Sequence, residues 1–197
     1  MNIELGENFG AGVKADGSLW AWGRNPSGQL CLGHNTDVTS PQQVGEDVNW
    51  ESATSGSGFL LALKSNGFLY ACGVNNNGQL GLGTTASANV PQAVGTGWAA
   101  VAGGYYHAAG IKDDGSLWTW GSNAYGALGL GDTVDRHLPT RVGNENDWID
   151  VTAGWPFTLA VKNDGTLWGF GHGFITGVSD SLTPVCITSV VAGAACP

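Results

Sequence analysis

Charge is what this chain has least of. Lys and Arg number 7 and Asp and Glu 16 in 197 residues, a charged share of 12% and a balance of 7 − 16 = −9. A soluble domain ordinarily carries about twice that share. Gripping nucleic acid through its phosphates takes clustered Lys and Arg, and 7 scattered ones make no basic stripe, so no nucleic-acid partner is expected. The same shortage argues against an anionic membrane surface. No apolar run approaches the roughly 18 residues of a membrane-crossing helix; Gly58 to Leu63 is among the longest and is strand-sized, so no membrane insertion is expected. The opening Met1-Asn-Ile-Glu-Leu-Gly-Glu has neither a basic region nor an apolar stretch, so no secretory signal is read.

Chemistry-bearing patterns are equally scarce. None of the four histidines pairs with Cys, Asp or Glu at a metal-ligand spacing, and C-x-x-C and H-x-x-x-H are missing. Asp114 belongs to a turn that every repeat shares, and no D-x-D-x-D-G loop supports calcium. Gly171-His-Gly-Phe-Ile-Thr-Gly177 looks like a nucleotide loop, but it lacks a following helix and an acidic partner. The acids are spread over turns instead of paired in a pocket. The expectation is a protein with no catalytic residues, no cofactor and no metal.

Glycine and tryptophan, by contrast, are plentiful. There are 33 glycines and 9 tryptophans, with 42% of residues hydrophobic. That is the composition of tightly turned β structure around a large packed interior.

The chain repeats itself. Lys14, Lys64, Lys112 and Lys162 stand 50, 48 and 50 residues apart, each followed by an Asp/Asn-Gly turn and an aromatic-rich run to a Gly. Lys14-Ala-Asp-Gly-Ser-Leu-Trp-Ala-Trp-Gly23 and Lys112-Asp-Asp-Gly-Ser-Leu-Trp-Thr-Trp-Gly121 show the pattern most fully. Five residues before each Lys comes Phe9, Phe59, His107 or Phe157, opening an alternating apolar run that reads as a half-buried strand. Asp16-Gly17 and its equivalents predict two-residue type I′ hairpins. A further strand follows Trp50, Trp98 or Trp148. Several short strands per unit, with no helical period, predict an all-β repeat protein, best built as a β-propeller of four-stranded blades. The predicted repeats are 1–50, 51–98, 99–148 and 149–197, together one repeat domain.

Between the second and third segments lies the most specific signature. It reads Asn25-Pro-Ser-Gly28-Gln29-Leu30-Cys-Leu-Gly33, Asn75-Asn-Asn-Gly78-Gln79-Leu80-Gly-Leu-Gly83 and Asn123-Ala-Tyr-Gly126-Ala-Leu128-Gly-Leu-Gly131, each followed by Pro-x-x-Val-Gly. This pattern resembles the repeat of the regulator-of-chromosome-condensation family, over nearly all of the chain. The resemblance implies a β-propeller, usually of seven blades of about fifty residues.

Departures from that pattern shape the functional reading. Three of the four family His positions are Phe, Cys72 replaces the second Trp, and Cys31 replaces a Gly. Repeat four lacks the Asn-x-x-Gly-Gln-Leu element. An inner-strand motif occurs five times, ending at Val190…Gly193, one more than a closed ring of four blades needs. The array is therefore expected either to close on itself or to form an open arc completed by another chain, and an uncovered edge favours self-association or docking into a larger assembly.

His107 replaces a repeat Phe and reads as a packed structural residue. Cys31 and Cys72 read as buried free thiols, whereas Cys186 and Cys196, ten residues apart, can staple the carboxy-terminal segment in an oxidising environment. Tyr105, Tyr106 and Trp155 differ from all other aromatics, because they fall at loop positions where other repeats have Glu7-Asn8 and Ser57-Gly58. Non-repeating aromatics at a blade end suit protein binding. The repeat is also similar to that of propeller-type β-lactamase inhibitors, whose corresponding loop face grips the partner. The expected function is a non-catalytic protein-interaction platform, a structural or decorating subunit of a larger assembly such as a phage virion or surface complex. The alternative is an inhibitor or regulator that binds an enzyme or small GTPase through the loop face.

Overall fold

The computed structural model describes residues 2–173, 180–189 and 196. The fifth inner-strand motif, Val190…Gly193, lies outside the described residues. Four antiparallel sheets of four strands follow one another along the chain. The first contains β1 (Asn2–Leu5), β2 (Phe9–Val13), β3 (Leu19–Gly23) and β4 (Val38–Gln43). The second contains β5 (Trp50–Ser55), β6 (Phe59–Lys64), β7 (Leu69–Gly73) and β8 (Ala88–Gly95). The third runs β9 (Trp98–Gly103), β10 (His107–Lys112), β11 (Leu117–Gly121) and β12 (Arg136–Arg141). The fourth runs β13 (Trp148–Ala153), β14 (Phe157–Lys162), β15 (Thr166–Gly171) and β16 (Ser181–Ser189). In every sheet the strand order is the chain order, as in propeller blades.

The hairpin after β2 differs from the predicted type I′ turn. Only the Gly has positive φ (Gly17, +80°), Gly17 N–H donates to Lys14 O at 3.0 Å, and Lys14 N–H donates to Ser18 O at 3.0 Å. This is a three-residue loop, one residue longer than the predicted one, in which a turn is followed by a left-handed glycine. The side chains supply the reason. Asp16 Oδ1 accepts from Ser18 N–H and Oγ–H at 3.0 and 2.6 Å, and Ser18 Oγ accepts from Trp20 Nε1 at 2.8 Å. The chains Asp114–Ser116–Trp118 and Asp164–Thr166–Trp168 are built identically. The recurring Asp-Gly-Ser/Thr-Leu-Trp sequence is thus one hydrogen-bonded unit, and the hydroxyl holds the Asp carboxyl of all three turns below its ordinary pKa.

Hydrophobic burial lies between sheets. The first core packs Phe9, Ala11, Val13, Leu19 and Leu30 of one sheet against Trp50, Ala53, Leu60 and Ala62 of the next. The second and third cores repeat the arrangement around Trp98 with Trp120 and Trp148 with Phe170. Trp50, Trp98 and Trp148 are therefore the wedges between consecutive sheets. The repeat Lys lies over these rings, with Lys112 Nζ 3.6 Å from the Trp98 ring centre and Lys64 and Lys162 Nζ each 4.8 Å from Trp50 and Trp148. In sheet one Lys14 covers the ring of Trp20, at 3.3 Å. Such contacts contribute on the order of 1 kcal/mol each.

The Asn-x-x-Gly-Gln-Leu loop is a clamp between sheets. Asn75 is fully buried; its Oδ1 accepts from Leu80 N–H at 2.9 Å and its Nδ2 donates to Thr84 O and Ala86 O, both at 2.9 Å. Asn25 and Asn123 hold their loops in the same way. The loop so fixed reaches the outer strand of the next sheet, where Gly33 donates to Asn89 O, Gly83 to His137 O and Gly131 to Leu182 O at 2.7–2.8 Å. Gly78 has φ +78°, and a Cβ there would meet His137 at 2.4 Å. Only glycine lets the loop approach so closely.

The thiols depart from expectation. Cys31 and Cys72 form a disulfide between the first clamp loop and β7, with Cα atoms 5.6 Å apart. Elsewhere the position of Cys31 is Gly81 or Gly129 and that of Cys72 is Trp120 or Phe170, and each glycine faces the aromatic ring across a junction. At the first junction the same two facing positions are bridged covalently instead. Cys186 and Cys196 are also bridged.

Packing runs from first sheet to second, second to third and third to fourth, through β1 and β2 on β5, β6 on β9 and β10 on β13. Among the described residues no strand of the fourth sheet packs on the first to that extent. Burial follows this. Ile3 is 61% exposed, whereas its repeat equivalents Ala53 and Val151 are 2% and 8% exposed. In β14, Phe157, Leu159 and Val161 are half-buried, whereas Phe59, Leu61 and Leu63 of β6 are buried.

Candidate functional site

Each sheet turns from its first to its second strand through a short loop beginning with glycine, at Gly6, Gly56, Gly104 and Gly154. These glycines are forced by packing: a Cβ on Gly56 would lie 2.0 Å from the Phe59 ring and one on Gly104 would lie 2.7 Å from the His107 ring. The rings of Phe9, Phe59, His107 and Phe157 thus tuck under their own loops and hold the next two residues outward. At residues 105, 106 and 155 those outward residues are aromatic.

The structure brings the three together. The rings of Tyr105 and Tyr106 meet edge to face with centres 4.5 Å apart, and Tyr105 and Trp155 lie 5.9 Å apart. Trp155 is 59% and Tyr106 40% exposed, while Tyr105 is half-buried between them. The loops are tied by Tyr105 N–H donating to Gly154 O at 3.1 Å. Aromatic residues from two sheets therefore form one patch, with Tyr105 edge-on to Tyr106 and tilted against Trp155.

Two residues of the face were not picked out as site residues. Glu7, from the first loop, accepts hydrogen bonds through Oε2 from Ser57 Oγ at 2.7 Å and Tyr105 Oη at 3.3 Å. The signal was present in the sequence, since Glu7 and Ser57 occupy the same variable loop positions as Tyr105 and Trp155. One carboxylate links the loops of three sheets. Beneath it the loops enclose a depression of about 410 Å³ bordered by Leu5, Glu7, Ser57, Tyr105 and Trp155. Burial raises the Tyr106 phenol above its ordinary pKa, helped by neighbouring Tyr105 and the Glu7 charge.

His107 lies beneath this face, fully buried, its Nε2 2.9 Å from Thr158 Oγ1 across the third junction. Thr158 Oγ1 also donates to Ala127 O at 2.8 Å. Burial lowers the His107 pKa from 6.5 to about 4, against a smaller upward effect of a backbone hydrogen bond at Phe157. His137 lies on β12 against Gly78. Among the described residues no three His, Cys, Asp or Glu gather where they could hold a metal ion. What the face offers chemically is aromatic surface, one carboxylate and a shallow concavity, a set suited to recognition.

Comparison with known proteins agrees with this architecture. A model of the regulator of chromosome condensation (RCC1) repeat matches residues 16–63, 66–111 and 114–161, and a second model of that repeat matches 2–29 and 98–127. No curated protein sequence matches the chain. Among solved structures, human WBSCR16 superposes with a TM-score of 0.85 at 23% identity, over 98% of this chain and 54% of that one. Yeast RCC1 (Prp20), in its structure with Kap60 bound, superposes at 0.84 with 21% identity over 97% of this chain and 49% of that one. Prp20p of Saccharomyces cerevisiae, described with its binding properties to Gsp1p and histones, gives 0.82 at 21% over 97% and 51%. The chain spans about half the length of these structures. Four sheets of the propeller type and a repeat model matching most of the sequence make this chain a member of the regulator of chromosome condensation (RCC1) repeat family.

Proposed function

We propose that this chain is a non-catalytic protein-binding module, of the regulator or inhibitor kind, whose working surface is the loop face of Tyr105, Tyr106 and Trp155. The observation that carries this reading is the convergence of three non-repeating aromatic rings on one face, with Tyr106 and Trp155 exposed on either side of half-buried Tyr105. Large aromatic side chains left in water at a preformed site supply most of the binding energy of protein interfaces. The solved Prp20 structures, which are named for Kap60, Gsp1p and histones, support a propeller of this kind as a docking scaffold. The idea of a decorating subunit of a virion gains no support from fold or relatives.

Affinity capture from the source lysate tests the proposal. A protein retained by the wild-type chain should be lost when Tyr105, Tyr106 and Trp155 are all changed to Ala, and kept by Leu138→Ala, which alters an exposed apolar residue of the outer strand β12. Equal retention by all three chains would sink the loop-face reading.

A second reading rests on Ile3. The first sheet exposes Ile3 and Leu5, whereas Ala53 and Val151 at the position of Ile3 are buried, and the fourth leaves Phe157, Leu159 and Val161 half-buried, whereas Phe59, Leu61 and Leu63 are buried. Two copies joined head to tail would continue the same packing. The fourth sheet lacks the Asn-x-x-Gly-Gln-Leu clamp, so apolar contact alone would hold such a pair. Light scattering over a dilution series should then show a dimer that dissociates on dilution and is lost in Ile3→Glu. A monomer of 20.2 kDa at every concentration would refute it.

A further inference from the structure

We propose that the depression in the loop face receives an arginine side chain of a basic segment on the partner protein. This rests on the docking-face reading and specifies its chemistry. The wall of the depression combines the ring of Trp155, 59% exposed, with Tyr105 and the Glu7 carboxylate. Glu7 Oε2 is occupied by Ser57 and Tyr105, whereas its Oε1 bears no hydrogen bond among the described residues. The two donors on Oε2 fix the carboxylate, so its second oxygen is aimed without further loss of side-chain freedom. Arg24 lies on the same face yet makes no ion pair with Glu7.

Aromatic faces attract cations through their quadrupole, and most strongly where water is partly excluded. A planar guanidinium stacks on indole and phenol rings while its N–H groups reach a carboxylate, which a lysine ammonium does less well. The chain as a whole carries −9, so its field draws a basic partner in and the pocket reads one residue of it. The chain's own repeat Lys residues already rest on indole rings in this way, four times over. The loop face offers the same aromatic chemistry with its cation supplied from outside.

Calorimetric titration of the full chain with a blocked hexa-arginine peptide at low salt tests the assignment. Hexa-arginine should bind saturably, and hexa-citrulline, equal in shape but neutral, should give no heat. Glu7→Gln and Trp155→Ala should each weaken binding about tenfold. Glu46→Gln, which removes one charge from the exposed connection between β4 and β5, should leave it within about twofold, as expected for a screened surface charge. Equal weakening by Glu7→Gln and Glu46→Gln would mean attraction to the net charge alone and would overturn the proposal, as would an absence of binding. Weakening by Trp155→Ala without any effect of Glu7→Gln would overturn the cation site while leaving the docking face in place.

Discussion

Lowering the pH from 7 to 5 should remove roughly 2 kcal/mol of stability, and lowering it to 4 about 3 kcal/mol, through His107 alone. The folded chain holds this imidazole neutral, with its pKa near 4 against 6.5 for an exposed one. A depressed histidine pKa means that the unfolded chain binds the proton first. Its stabilising effect is therefore complete above pH 6.5 and is lost as the pH falls toward 4. The carboxyl groups whose pKa is lowered, those of Asp16, Asp114, Asp132, Asp164 and Glu145, start from ordinary values of 3.8 to 4.5. Their loss sets in from about pH 5 downward, so between pH 6.5 and 5 the His107 effect stands alone.

The substitution that isolates it is His107→Phe. Phe9, Phe59 and Phe157 hold the same position in the other sheets, and the glycine beneath each ring is the same. Thr158 would keep its bond to Ala127 O. Denaturant titrations of this variant should stay within about 1 kcal/mol of wild type at pH 7. Between pH 6.5 and 5 they should be nearly flat. A variant as acid-sensitive as the parent would place the titrating group elsewhere. His107 also supports the loop carrying Tyr105 and Tyr106, so partner binding by the folded chain should hold down to pH 5 and weaken only as the pH nears 4, where the buried imidazole itself takes up a proton.

How far the sequence reveals this molecule depends on whether a feature repeats. The strands, and their grouping into four-stranded units that recur with Trp50, Trp98 and Trp148, were legible because the period shows each of them several times. The family resemblance was legible for the same reason, from Asn25, Asn75 and Asn123 with their following glycines. The turn geometry was misread, since Asp-Gly alone suggests a two-residue hairpin and the Ser18 hydroxyl that redirects it acts through side chains. Tyr105, Tyr106 and Trp155 stood out by not repeating, yet their meeting across two sheets is a matter of blade packing that no local pattern encodes. Glu7 escaped notice because a lone acidic residue in a loop is ordinary until three loops converge on it.

Loss of the Cys31–Cys72 bridge should have the largest effect of any change considered. The bridge spans 41 residues, and closing a loop of that length restricts the unfolded chain by an amount worth about 4 kcal/mol in the chain-entropy picture. Cys31→Ser with Cys72→Ser, leaving Cys186–Cys196 intact, should therefore lower the melting temperature by roughly 8–16 °C. Replacing both positions with what another junction uses, Cys31→Gly with Cys72→Trp, should recover part of that loss. Cys31 has φ +58°, a left-handed conformation that its equivalents Gly81 and Gly129 adopt without strain, and Trp120 shows how an indole fills the facing position by donating to Gln79 O at 2.9 Å. The first junction also sets Glu7 against Ser57. Reduction should thus loosen the loop face along with the fold, and arginine-peptide binding should fall in the Ser pair and return in the Gly/Trp pair. Thiol titration of the unfolded, unreduced chain carrying Cys186→Ser and Cys196→Ser finding two free thiols would remove the bridge, and a Ser pair at Cys31 and Cys72 melting with the wild type would remove its energetic role.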